Sequence, residues 1–155
     1  MEENHFHYFN PSPFAKSGRI HKLGDCVVRA ICAATGKRWY EVYDTLCQKG
    51  RQIGAFGNNR QVYPHVLGDL GFCAVGIKRE AGKKAMTVED FCTSHPSGIY
   101  LLKVAHHLTC VIDGVVWDTW FPRDSTVYKY YFNAEKQNMK KAKKPSGLAI
   151  QLELF

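Results

Sequence analysis

The chain has 155 residues, with 21 lysines and arginines against 14 aspartates and glutamates, a net charge of +7. Hydrophobic residues make up 45% and charged residues 23%, the balance of a folded globular chain, which excludes disorder as its main state. No apolar run approaches the roughly 20 residues that a bilayer crossing needs, which excludes a spanning helix.

The length fits one domain over 1–155. The N-terminal run MEENHFHYFN carries acids and histidines where a signal peptide has a basic region and an apolar core, so the expected compartment is cytoplasmic. His5 and His7 form an H-x-H pair that could hold a metal on a strand; the plainer expectation is surface residues of a mobile end. Residues 1–23, with Pro11, Ser12, Pro13 and Gly18, read as an extended lead-in.

CVVRAICAATG follows. Asp25 suits the N-cap, Cys26 falls in the first turn and Gly36 suits the C-terminal stop. This predicted helix is apolar nearly all round except at Arg29, which marks it as central to the fold. A second helix is expected from about Trp39 to Gln48, on the spacing of Trp39, Val42, Tyr43 and Leu46, with Gly50 ending it. A third is expected from about Arg60 to Leu70, with Pro64 in its first turns and Gly71 as its stop.

The period then changes. FCAVGIKR reads as a strand, and TVEDFCTSH as a short helix capped by Thr87 with Asp90 three residues on. GIYLLKVA, HLTCVIDG, VVWDTW and TVYKYYF read as successive strands. Asp113-Gly114 is the clearest hairpin signal. Helices first and an antiparallel sheet second predict an α+β fold. Lys136, Lys140, Lys141, Lys143 and Lys144 crowd a basic segment at 134–147. That segment is a solvated charge run, a dock for an acidic partner or a nucleic-acid contact. SGLAIQLELF after it could form an edge strand.

The six cysteines (Cys26, Cys32, Cys47, Cys73, Cys92 and Cys110) contain no CxxC pair. No export signal is expected and the chain is large for a stapled scaffold, so they are expected to be reduced, and no zinc site is expected. Only Cys26 stands at a predicted helix start, where unpaired N–H groups and the helix dipole favour a thiolate. Gly24 and Asp25 lie just before it, and Gly24 would let a substrate backbone approach.

A nucleophilic thiol needs a base, and the base needs an orienting group. A two-residue Asp113-Gly114 loop pairs Ile112 with Val115, Cys110 with Trp117, Thr109 with Asp118 and His107 with Trp120. His107, Thr109, Asp118 and Trp120 then share one face, and Asp118 lies diagonal to His107. His106 is expected on the opposite face. Trp120 is the aromatic expected to line a substrate cleft, with Asn58 and Asn59 of the GAFGNNR loop at its border. Trp117, Tyr128, Tyr130 and Tyr131 are expected mainly as packing residues, with a base-stacking platform as the alternative.

GDCVVRAICAATGKRWYEV followed much later by HLTCVIDGVVWDTW resembles the papain-like cysteine peptidases, in particular compact bacterial and phage members of the C39-like and NlpC/P60-like kinds. The resemblance covers about Gly24 to Trp120. It implies a papain-like domain with the nucleophile at a helix start, packed on a C-terminal antiparallel sheet. It also implies Cys26, His107 and Asp118 as the catalytic set, a protein or peptide substrate, and amide cleavage with no metal or organic cofactor. The chain departs from the family where a glutamine commonly precedes the cysteine as an oxyanion donor. The stretch here is Arg19-Ile20-His21-Lys22, which leaves His21 or Lys22 as stand-ins. The competing expectations are an acyl transferase or isopeptidase using the same thiol, a non-catalytic binding or inhibitor protein on a degenerate papain-like scaffold, and a nucleic-acid binder using the lysine segment.

Overall fold

Helix α1 spans Cys26–Thr35 and is terminated by Gly36. Val27, Val28, Ala30, Ile31, Cys32 and Ala34 are all buried in it, as an apolar circumference requires. The computed structural model describes residues 4–15 and 24–133; His21, Lys22, the lysine segment and the expected C-terminal strand lie outside the described residues. Asp25 stands at the start of α1, but its side chain makes no cap bond. Its carboxylate is taken instead by Arg29 and by the Trp39 indole N–H.

Helix α2 spans Trp39–Ile53, a full turn longer than the spacing predicts. Gly50 does not end it. Gly50 is buried because the chain folds back over it, and a Cβ there would run into the Ala55 carbonyl oxygen and the Gly57 backbone. The stop is Gly54, whose φ of 90° is a conformation that side-chain-bearing residues avoid. Helix α3 spans Tyr63–Asp69, starting three residues later than expected. Residues 59–62 are held as turns by the Asn59 carbonyl and side chain, and Pro64 fits the first helical turn, where its missing N–H costs nothing. Helix α4 spans Val88–Ser94 with the reciprocal Thr87–Asp90 capping box.

The strands are β1 (Phe6–Tyr8), β2 (Cys73–Gly76), β3 (Ile99–Val104), β4 (His107–Ile112), β5 (Val115–Asp118) and β6 (Lys129–Phe132). They form one sheet in the order β1-β5-β4-β3-β6-β2. The fold is α+β, but the sheet is mixed, because β1 pairs in parallel with β5, Phe6 opposite Val116 and Tyr8 opposite Asp118. The N-terminal segment is therefore an edge strand and not simply a lead-in. The His5 ring nitrogen Nδ1 meets the Gly114 carbonyl at 2.9 Å and the His7 ring lies against Trp117, so neither belongs to a loose end. A three-residue edge strand is too short to show the alternation that marks interior strands.

The β4–β5 hairpin has the expected register, Ile112 opposite Val115 and Cys110 opposite Trp117. Asp113 and Gly114 both take positive φ, the geometry of the tight turn that suits strand twist. A second two-residue turn, Ala105-His106, joins β3 to β4, with Val104 opposite His107. His106 is thus a turn residue with φ of 55° and not a residue on the far face of a strand.

Alternation divides the core into two layers. Leu101, Leu108, Cys110 and Tyr131 pack with α1, α2 and α3. Leu102, Val104, Val111 and Val116 pack with Val88, Phe91 and Cys92 of α4 on the other side. Each fully buried Leu, Ile or Val contributes about 1.5–3 kcal/mol, so α1, lying across the middle of the sheet, is anchored firmly at the end that carries Cys26. Among the described residues no helix is long and apolar enough to cross a membrane.

Candidate active site

Cys26 is the first residue of α1 and is half-buried. His107 opens β4 and Asp118 closes β5, so one helix start and the open end of one hairpin meet. His107 Nε2 and Asp118 Oδ2 are 2.6 Å apart. The Cys26 sulfur lies beside the His107 ring and the Leu108 N–H, both of which favour its charged form. The three side chains are neighbours in the order Asp118, His107, Cys26. His107 and Asp118 are 9% and 3% exposed, which keeps their bond from competing with water.

The Asp118 carboxylate is held from several sides. Thr109 Oγ1 donates to Oδ2 at 2.7 Å, and the Thr119 N–H donates to Oδ1 at 2.7 Å. Arg29 Nη2 lies 3.5 Å from Oδ1 while its Nη1 pairs with Asp25. The Arg29 guanidinium therefore bridges the residue before the cysteine to the residue behind the histidine. Its Nε is buried without a hydrogen-bond partner.

The protonation states follow from this arrangement. Burial alone would push the Cys26 thiol up. The His107 hydrogen bond, the Leu108 N–H and the positive charges of His107 and Arg29 outweigh it, and the thiol lies below its ordinary value of 9.0. Burial would push His107 down, but its bonds to Asp118 and Cys26 and their negative charges win, raising it from 6.5 to about 9. Burial likewise opposes ionisation of Asp118, yet His107, Thr109 and the Thr119 N–H hold it below 3.8. The arrangement shifts Cys26 toward the thiolate, with an imidazolium and a carboxylate beside it. The buried cysteines behave in the opposite way. Desolvation pushes Cys32 and Cys92 up to about 12, and Cys110 higher still. No disulfide joins any of the six.

Two clefts open on either side of the Cys26–His107 pair, and Gly24 and His106 border both. One, of about 450 Å³, is walled by Asn10, Ser12, Phe14, Thr119 and Trp120. The Trp120 ring sits 5.0 Å from the His107 ring and is 48% exposed. The other, of about 720 Å³, is walled by Asn58, Asn59, Arg60, Tyr63, Lys103 and Tyr128. Asn58 donates to the Gly24 carbonyl at 3.3 Å, tying the second cleft's rim to the cysteine loop. Among the described residues no group of three His, Cys, Asp or Glu side chains is placed to hold a metal ion.

The structure thus brings together Cys26, His107, Asp118, Gly24, Asp25 and Trp120, whereas His21 and Lys22 lie outside the described residues. Of the aromatics expected to pack, Tyr131 is buried, while Tyr128 is 54% exposed at the second cleft. Sequence reasoning missed Arg29 as a contact of Asp118 and Thr109 as its hydroxyl donor. Arg29 had a signal: a single charge on an otherwise apolar helix must find a partner when that helix is buried. Comparisons of the chain with protein-family models, with curated proteins and with solved structures give no match.

Proposed function

We propose that the protein is a papain-like thiol hydrolase that cleaves a peptide, isopeptide or related amide bond. The observation that carries this reading is the His107–Asp118 pair, 2.6 Å apart, set beside the Cys26 thiol at the start of α1. The Cys26 thiolate attacks the amide carbonyl, and its sulfur bonds to the carbonyl carbon. The oxyanion that forms faces the Cys26 backbone N–H at the start of α1, a donor free of helical bonding. His107 then gives its proton to the departing amine, leaving a thioester. Water attacks the thioester, with His107 taking the water proton, and the acid leaves as the thiol is restored. Asp118 holds the imidazole with Nε2 turned away from the sulfur and stabilises its charge. Trp120 screens the His107–Asp118 bond from water. Six unpaired cysteines support a reducing, cytoplasmic setting.

The test is labelling of the intact protein with an epoxysuccinyl (E-64-type) thiol reagent, together with cleavage of a denatured protein substrate by Cys26→Ala. The expected result is a single label on Cys26 and no cleavage by the variant. A label on another cysteine with full cleavage by Cys26→Ala would overturn the reading.

A further inference from the structure

The cleft on the α3 side of Cys26 is basic, and none of the residues lining it is an aspartate or glutamate. Arg60 is exposed on its rim. Lys103 is half-buried on its wall and gives one hydrogen bond, 2.6 Å from Nζ to the Val104 carbonyl. Neither side chain has a carboxylate within ion-pair distance among the described residues, in contrast to Lys49, which is paired with Asp69 at 2.8 Å.

The placement of Lys103 is costly. Leu101 and Tyr131 are cross-strand partners that pack toward α1 and α3, and alternation puts Lys103 and its partner Lys129 on that same face. Like charges directly opposite each other on a sheet destabilise it. Arg60 and Lys129 both act on Lys103 by repulsion, and the Cys26 thiolate acts on it by attraction. Arg60 and Lys103 thus line one cleft with the sulfur, and among the described residues no carboxylate balances them, a pattern that supplies an anion site with charge in advance.

We propose that this cleft holds a carboxylate of the substrate against Arg60 and Lys103, so that the bond cleaved lies next to an acidic residue or a free C-terminus. The proposal rests on Cys26 being the reactive thiol. It makes Arg60 and Lys103 specificity-determining residues, with Asn58 and Asn59 as neutral hydrogen-bonding neighbours at the same rim.

The experiment uses three alkylating probes of one shape: N-iodoacetyl-glutamate α-amide, N-iodoacetyl-glutamine with a free α-carboxylate, and N-iodoacetyl-glutamine α-amide. Rates at Cys26 are read by peptide mass spectrometry. In the wild-type protein at least one acidic probe is expected to react about tenfold faster than the neutral one, the factor that one charge-assisted hydrogen bond supplies. The faster of the two acidic probes identifies a side-chain or a terminal carboxylate as the source. Arg60→Gln with Lys103→Gln should bring the acidic-to-neutral ratio down toward the value that the His107 imidazolium alone gives. Arg60→Glu should lower it further, and Lys83→Gln, which changes net charge away from the cleft, should leave the ratio at its wild-type value. Circular dichroism melting of each variant establishes folding, and Lys103→Gln should not melt lower, because it removes the repulsion with Lys129. A ratio near one in the wild type, or a ratio that Arg60→Gln with Lys103→Gln does not change, overturns the carboxylate site and leaves the hydrolase reading standing. Failure of all three probes to modify Cys26 overturns both.

Discussion

Asp118→Asn is the substitution that most cleanly separates the electrostatics of the site from its shape. Asparagine keeps the size of the side chain and one acceptor oxygen but removes the negative charge. His107 is raised from 6.5 to about 9 against the opposing effect of its own burial, and among the groups that raise it the Asp118 hydrogen bond comes first. The whole rise corresponds to about 3 kcal/mol of preference for the imidazolium. Asp118 supplies it by both hydrogen bond and charge, and Cys26 supplies the remainder, so Asp118→Asn should lower the His107 midpoint by about 1–2 pH units. The direction at Cys26 is opposite: a less available imidazolium stabilises the thiolate less, and the thiol midpoint rises. Imidazole NMR follows the first change and thiolate absorbance near 240 nm follows the second, on the same samples. A His107 midpoint that does not move, or the two midpoints moving in the same direction, would rule out this coupling between Asp118, His107 and Cys26.

Arg29→Met removes the guanidinium that faces both Asp25 and Asp118 and leaves two buried carboxylates without it; urea unfolding should show a loss of about 3–5 kcal/mol, and an unchanged midpoint would contradict the pairing. Gly50→Ala lies inside α2, where alanine ordinarily gains up to about 1 kcal/mol, yet here the new methyl collides with the Ala55 carbonyl and crowds Gly57. The net result should be a loss of about 1–3 kcal/mol, and a stabilised variant would refute the close approach. In Cys26→Ala the His107–Asp118 pair remains, and a histidine whose folded pKa is raised contributes stability that is complete below about 6.5 and is lost as pH rises toward the folded value. Unfolding free energy of Cys26→Ala should therefore fall as pH rises from 6.5 toward a folded value below the value of about 9 that His107 has with Cys26 in place, and Cys26→Ala with Asp118→Asn should lose most of that slope.

Much of the site was legible because its parts obey strong local rules. Asp113-Gly114 sets a two-residue turn, the turn sets the register, and the register sets His107, Thr109 and Asp118 together. Cys26 at the head of an apolar helix is equally local, since Gly36 and the buried circumference leave α1 little choice of position. Tertiary context decided the remainder. Gly50 resembles a stop until a loop returning over α2 requires the absence of a side chain there. Asp25 resembles a cap until Arg29 and Trp39, a turn and a helix away, compete for its oxygens. The parallel pairing of β1 with β5 depends on contacts more than 100 residues apart in sequence, and nothing in a three-residue strand announces its partner. The meeting of Arg60 and Lys103 is of the same kind, because only the packing of the α3 side against β3 brings the two to one cleft.

The most direct measurement is the relative rate of iodoacetamide modification of each cysteine at pH 6, read residue by residue by mass spectrometry on the native protein. Cys47 and Cys73 are the exposed thiols and serve as internal references. A half-buried Cys26 that reacts faster than both is a thiolate stabilised by His107. Faster modification of Cys47 or Cys73 at that pH would contradict it.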